Sequence, residues 1–177
     1  MRVTFAGKVD YLNEVKADLV LLDRSFICRG NVCGELEPPR LPNAVLVDTG
    51  IKFDPKNEML NRRKRIAKML LHALDHVKGD VLFVDSDVII PDVPFNYSTP
   101  RSICIPAKAK PSELIVIFCQ STNMFVPEPY LPSLRDILLS YTDYTVPVDI
   151  YINRKLGSVP LWLNGVCHYI NGKKYCL

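Results

Sequence analysis

The stretch Gly79-Asp-Val-Leu-Phe-Val-Asp-Ser-Asp-Val-Ile-Ile-Pro91 constrains the fold of this chain more than any other. Its apolar run, residues 81–84, has the continuity of a central parallel strand buried on both faces. The run ends in two carboxylates one residue apart, Asp85 and Asp87, where open α/β sheets bind ligands. Two acids that close repel each other unless a cation lies between them, and a divalent metal is the usual one. A pair of turn residues ending a strand has the same spelling, so the surroundings decide what the pair means.

The segment before this strand is the clearest helix in the sequence. Asp54-Pro55 offers an N-cap and a proline for the first helical position. Ile66, Leu70, Ala73, Leu74 and Val77 recur at helical spacing, and Gly79 ends the pattern. A strand over residues 44–47, closed by Asp48, precedes the helix, so strand, helix and strand predict a parallel crossover in an α/β sheet. Two further strands are expected at 2–6 and 18–22, joined through a short helix or turn at 11–17. Beyond Pro91, prolines divide the chain into short pieces. Residues 103–105 and 114–119 read as strands paired around Lys110-Pro-Ser-Glu113, and 124–126 as another. Residues 132–141 and 148–156 read as helices, the second stopped by Gly157.

A length of 177 residues suits a single domain with a well-buried core. Hydrophobic residues make up 48% and charged ones 23%, which excludes a disordered or membrane-embedded chain. A net charge of +3 is too small to argue for nucleic acid. With no transmembrane run and no signal-peptide pattern, the expectation is a cytoplasmic protein.

Six cysteines in such a protein would ordinarily be free thiols. Their spacing argues for bridges. An Asn171-Gly172 turn puts Cys167 directly opposite Cys176 at a non-hydrogen-bonded site, where strands come closest. A turn at Gly30-Asn31 does the same for Cys28 and Cys33, which leaves Cys104 and Cys119 as a third pair. No Cys-x-x-Cys occurs, which weighs against metal binding by thiolates. Bridges inside a cell point to a hyperthermophile, and the single glutamine, Gln120, fits that depletion of thermolabile amides.

Basic residues cluster in the first half of the expected helix: Arg62, Arg63, Lys64, Arg65 and Lys68. A strand from Asp80 to Asp85 rises roughly 17 Å at about 3.3 Å per residue. The returning helix covers that height in about 11 residues. Counting back from Lys78 brings Arg62, Arg65 and Lys68 near the level of Asp85. Cations beside a metal-binding acid pair suit a diphosphate.

The block Arg65-Ile-Ala-Lys-Met-Leu-Leu-His-Ala-Leu74, followed by Lys78 to Val88, resembles the core of GT-A fold glycosyltransferases, with Asp85-Ser-Asp87 as their DXD motif. The resemblance implies a single GT-A-like, Rossmann-like domain: a central mixed sheet flanked by helices, with a C-terminal β-hairpin. Residues 1–91 would bind nucleotide-sugar and metal, and residues 92–177 would face the acceptor. It further implies a hexosyltransferase-like enzyme in which Asp85 and Asp87 hold Mn²⁺ or Mg²⁺ against the diphosphate of a UDP- or GDP-sugar, beside Ser86. Phe5, Ala6, Gly7 and Lys8 occupy the place where these enzymes grip the nucleotide. Asp48 matches an acid that contacts the base or ribose, and Arg62, Arg65 and Lys68 supply the cations. Thr122 and Asn123 resemble the post-DXD strand on the acceptor side, although Asn123 is equally suited to bond nearby backbone. Asp149 matches the catalytic base of inverting members, with Val148 in place of a preceding acid; a first-turn acid favoured by the helix dipole is the other reading. His168 matches a late metal-ligating histidine, against the alternative of a surface residue. The acceptor (glycan, protein or lipid) is not specified by any residue.

Two rival functions share these residues. A haloacid-dehalogenase-like phosphatase also places Asp-x-Asp after an apolar strand, but its motif continues differently from Val88-Ile89. A non-catalytic nucleotide-sugar-binding or structural protein of the same fold would keep the metal site and lose turnover.

Overall fold

The computed structural model describes residues 1–109 and 112–177. In chain order, the strands β1 (Arg2–Ala6) and β2 (Leu19–Asp23) are followed by a short hairpin, β3 (Ile27–Arg29) and β4 (Val32–Gly34), and then β5 (Ala44–Val47). Helix α1 (Glu58–Leu74) leads into β6 (Val81–Asp85), β7 (Val88–Ile89) and β8 (Arg101–Ile103). Next come β9 (Ile105–Lys108), β10 (Ile115–Phe118) and β11 (Met124–Val126), then helices α2 (Leu131–Leu139) and α3 (Val148–Leu156). Strands β12 (Val159–Leu161), β13 (Cys167–Ile170) and β14 (Lys173–Cys176) follow.

The architecture is mixed α/β. Seven strands form a central sheet in the order β12-β8-β11-β6-β1-β2-β5. Strands β5, β2, β1 and β6 are parallel, β11 runs against both β6 and β8, and β12 is parallel to β8. The chain starts inside the sheet, adds β2 and β5 on one side, and crosses through α1 to add β6 on the other. Strand order therefore reverses between β1 and β6, and a crevice opens at their carboxyl ends.

Alternation along the strands assigns each face a cover. Val81 and Phe83 of β6, with Val3 and Phe5 of β1, pack in one cluster with Leu70 and Ala73 of α1, Leu134 of α2 and Ile152 of α3. Leu82 and Val84 pack on the other face with Val15, Val88, Ile103 and Val166. Phe83 is fully buried, and truncating it to alanine would cost about 3–5 kcal/mol. The strand that carries the acid pair is thus clamped from both sides. The third layer is a small sheet, β14-β13-β7, laid beside the carboxyl end of β6.

Both two-residue turns form as their sequences predict. Gly30 takes φ +58°, and Asn171 and Gly172 take +51° and +78°, so Cys28 faces Cys33 and Cys167 faces Cys176 in register. All six cysteines are paired: Cys28–Cys33, Cys104–Cys119 and Cys167–Cys176.

Several boundaries differ from expectation for local reasons. Helix α1 begins at Glu58 with Asn57 at its N-cap, not at Asp54-Pro55. Asp54 is spent on a turn, accepting from the Lys56 N–H (3.0 Å) and from Asn57 Nδ2 (2.7 Å). The helix stops at Leu74, ahead of Val77. Of the helix or turn expected at 11–17, the turn forms, over residues 10–14, and Cys104 separates β8 from β9 where one strand was expected. The turn expected around Lys110-Pro-Ser-Glu113 lies partly outside the described residues. Strands β7 and β12 had no forecast; at two and three residues they are too short to show a period.

Candidate functional site

Strand β6 delivers Asp85 to the crevice, and antiparallel β11 brings the residues that hold it. Met124 pairs with Phe83, so the chain just before β11 lies beside Asp85. The Asp85 N–H donates to Asn123 Oδ1 (2.8 Å), and Asn123 Nδ2 donates back to its carboxylate (2.9 Å). Thr122 Oγ1 lies 2.8 and 3.0 Å from the two carboxylate oxygens. Thr122, expected on the acceptor side, thus acts on the acid itself, and Asn123 does so while also making the bond to nearby backbone that was its other reading.

Desolvation, and next the charge of Asp87, push the Asp85 carboxyl up to about 6, against the pull of Thr122, Arg62 and Asn123. Its folded pKa exceeds its unfolded one, so the folded state binds the proton more tightly between about pH 4 and 6. The strain on the metal-free protein therefore grows as pH rises through that window and persists above it, up to ~3 kcal/mol. Asp85→Asn is expected to make the metal-free protein ~1–2 kcal/mol more stable at pH 8. Urea denaturation in EDTA measures this. A loss of stability would mean that the carboxylate serves the fold, not a ligand.

Asp87 meets His168 through the small third sheet. His168 pairs with Val88 across β13 and β7, and the Tyr169 N–H donates to the Asp87 carbonyl (2.9 Å). His168 Nε2 then lies 3.6 Å from Asp87 Oδ1. Its Nδ1 is 2.6 Å from the Pro106 carbonyl, which can only accept, so Nδ1 carries the proton and the neutral ring offers a lone pair at Nε2. Burial opposes the imidazolium, but Asp87 and the Pro106 carbonyl outweigh it and raise the pKa.

Among the described residues, no three His, Cys, Asp or Glu side chains close into a metal-binding group. A cation here would have Asp87 and His168 on one side and open positions on the other. Such an arrangement fits an ion completed by substrate phosphates and water rather than by a protein cage.

A cavity of about 300 Å³ opens beside the pair. Phe5, Ala6, Gly7 and Lys8 after β1 line one side, and Asp85, Ser86 and Asp87 line another. Arg62 and Arg65 reach it from α1, whereas Lys68 turns away and donates to the Thr49 carbonyl (2.9 Å). Arg62 is exposed and close enough to lower the pKa of both Asp85 and Asp149. Arg65 is 4% exposed, ion-paired with Glu58 and stacked 3.6 Å over the Phe26 ring.

Asp48 bonds Ser25 and the Gly50 N–H (2.9 Å) at the end of β5, outside the cavity lining. Asp23, at the end of the neighbouring β2 and held by Ser25 and Thr49, lines it instead. Phe26, Phe53 and Glu58 also line the cavity without having been anticipated. Asp23 could have been found by the rule that found Asp85, since it too ends an apolar strand. A larger depression of about 560 Å³ lies at the opposite ends of these strands. Its charges cancel internally: Arg2 and Lys16 both pair with Asp92, at 3.1 and 2.5 Å.

Asp149 stands in the first turn of α3, partly buried, with its pKa raised by burial and lowered by Arg62 and Arg63. Val148 beside it is 2% exposed and belongs to the helix-face core, where an acid would be costly. One turn on, Asn153 Nδ2 donates to the Ser121 carbonyl (3.0 Å), tying α3 to the segment that holds Asp85.

No protein-family model matches the chain. It is 36% identical over 130 residues to the uncharacterized protein ORF238 of Acidianus filamentous virus 2 (isolate Italy/Pozzuoli), covering 68% of this chain and 55% of that one. The uncharacterized protein ORF208 of the same virus is 37% identical over 115 residues, covering 62% and 55%. The uncharacterized protein 209 of Sulfolobus islandicus rod-shaped virus 1 is 25% identical over 177 residues, covering 94% and 79%. The chain thus spans little more than half the length of the first two. A hyperthermophile-virus origin fits the three disulfides.

Proposed function

We propose that the chain is a metal-dependent glycosyltransferase of the GT-A type, which moves a sugar from a UDP- or GDP-sugar to an acceptor hydroxyl. The observation that carries the proposal is the meeting of Asp87 and His168 at the end of β6, beside a cavity whose lining also brings Lys8 and Arg62 near the acid pair. The strand-order reversal at this crevice supports it. Asp87 and His168 would hold Mn²⁺ or Mg²⁺, which supplies charge neutralisation at the diphosphate. Arg62 and Lys8 add fixed positive charge on the side where the diphosphate oxygens gather charge as they leave. Thr122 and Asn123 keep Asp85 ionised at neutral pH and fixed in place. Asp149, whose pKa burial raises, takes the acceptor hydroxyl proton as the new glycosidic bond forms and the bond to the diphosphate breaks.

One observation favours binding without turnover: Val148 is buried where the family places a second acid. Incubation with a panel of nucleotide-sugars and Mn²⁺, reading nucleoside diphosphate release, separates the two. Catalysis predicts EDTA-sensitive release, reduced about 10²–10⁴-fold by Asp149→Asn with little change in binding. Tight binding with no release from any donor, in the presence of simple sugar and lipid acceptors, would leave only the binding role.

A further inference from the structure

Strand β10 and its approach turn apolar side chains to solvent on both faces. Leu114 is 65% exposed, Ile115 and Val116 are 40% and Ile117 is 44%. Alternation puts Ile115 and Ile117 on one face, and Leu114 and Val116 on the other. Among the described residues β10 pairs only with β9, so its outer edge is free as well. Edge strands are ordinarily blunted by a lysine, a proline or a bulge, and residues 114–118 contain no lysine or proline.

The hairpin is firmly mounted. Cys104–Cys119 ties its base, and the Pro106 carbonyl contacts His168 on β13. Trp162, the only tryptophan, is 60% exposed immediately after β12. The carbonyl of its neighbour Leu161 accepts from the Cys104 N–H (2.9 Å), which brings the backbone before residue 162 to the hairpin base. Lys108 pairs with Glu113 (2.8 Å), and Lys173 on the nearby β14 is exposed.

Edge-to-edge pairing with a second copy would extend the ladder and leave both apolar faces in water. Only a surround that takes up both faces removes the exposure. An anionic lipid surface supplies that surround, and the exposed Lys173 beside the hairpin complements its charge. No helix among the described residues is long and apolar enough to cross a membrane. We propose that the exposed side chains of residues 114–117, together with Trp162, insert into the interfacial layer of an anionic lipid membrane.

The test uses the intact chain and vesicles of phosphatidylglycerol and phosphatidylcholine, read by co-flotation and by Trp162 emission. Binding with a blue shift is expected on anionic vesicles, at least ~10-fold weaker on pure phosphatidylcholine and weakened by salt. Ile115→Ser with Ile117→Ser, and separately Leu114→Ser with Val116→Ser, should each lower partitioning at least ~10-fold without changing the melting temperature. Absence of vesicle binding overturns the proposal. So does a loss confined to one face, or a dimer in light scattering that either double variant dissolves while vesicles stay bare, which would assign the hairpin to a second copy.

Discussion

Replacing Asp87 by asparagine is expected to weaken Mn²⁺-dependent binding of a nucleoside diphosphate at least ~100-fold, or ~2.7 kcal/mol, and to abolish transfer. The side chain keeps its size, and β7 keeps its pairing with β13 because that rests on backbone bonds. What disappears is the negative charge facing His168 and the open side of the crevice. A second reading comes from the metal-free protein. Asp87 helps to raise the His168 pKa, so Asp87→Asn should lower it, as followed by the histidine ring resonances against pH. Unchanged metal-dependent binding in this variant would place the cation elsewhere.

Loss of the Cys104–Cys119 bridge should cost about 3 kcal/mol, the value expected for a closed loop of 15 residues. For a chain of this size that corresponds to a melting temperature lower by about 6–12 °C. Cys28–Cys33 closes a loop of only 5, and its loss should cost about 2 kcal/mol. The Cys104–Cys119 bridge also stands behind the site, because β9 carries the Pro106 carbonyl that orients His168. A Cys104→Ala, Cys119→Ala variant should therefore lose metal affinity along with stability, whereas Cys28→Ala, Cys33→Ala should lose mainly stability. Denaturation curves with Mn²⁺ titrations check both statements. Equal stability with and without the 104–119 bridge would contradict the first.

The parts of the molecule legible in the sequence are those whose signals are local. The apolar run before Asp85 marked the central strand, and Asn171-Gly172 fixed a register that set Cys167 against Cys176. The same turn left His168 on the hairpin, but its approach to Asp87 depends on β7, two residues long and without a period of its own. Asn123 reads as an acceptor-side residue or one that bonds nearby backbone until β11 is seen to run antiparallel beside β6, which makes it a clamp on Asp85. Arg65 and Lys68 illustrate the limit of a height argument. Both stand at the right level on α1, yet Arg65 reaches the cavity already paired with Glu58 and stacked on Phe26, and Lys68 turns to the Thr49 carbonyl. Helix rotation, set by packing against β1 and β6, is not encoded in height.

The central claim is that the crevice between β1 and β6 binds a nucleoside diphosphate through a divalent cation. Thermal unfolding of the intact chain with UDP or GDP, each with and without Mn²⁺, tests it most directly. The account predicts stabilisation by one nucleotide only when metal is present. At 100 times the dissociation constant this amounts to ~2.7 kcal/mol, or roughly 5–10 °C. No metal-dependent shift with either nucleotide, or a shift that survives in Asp87→Asn, would contradict it.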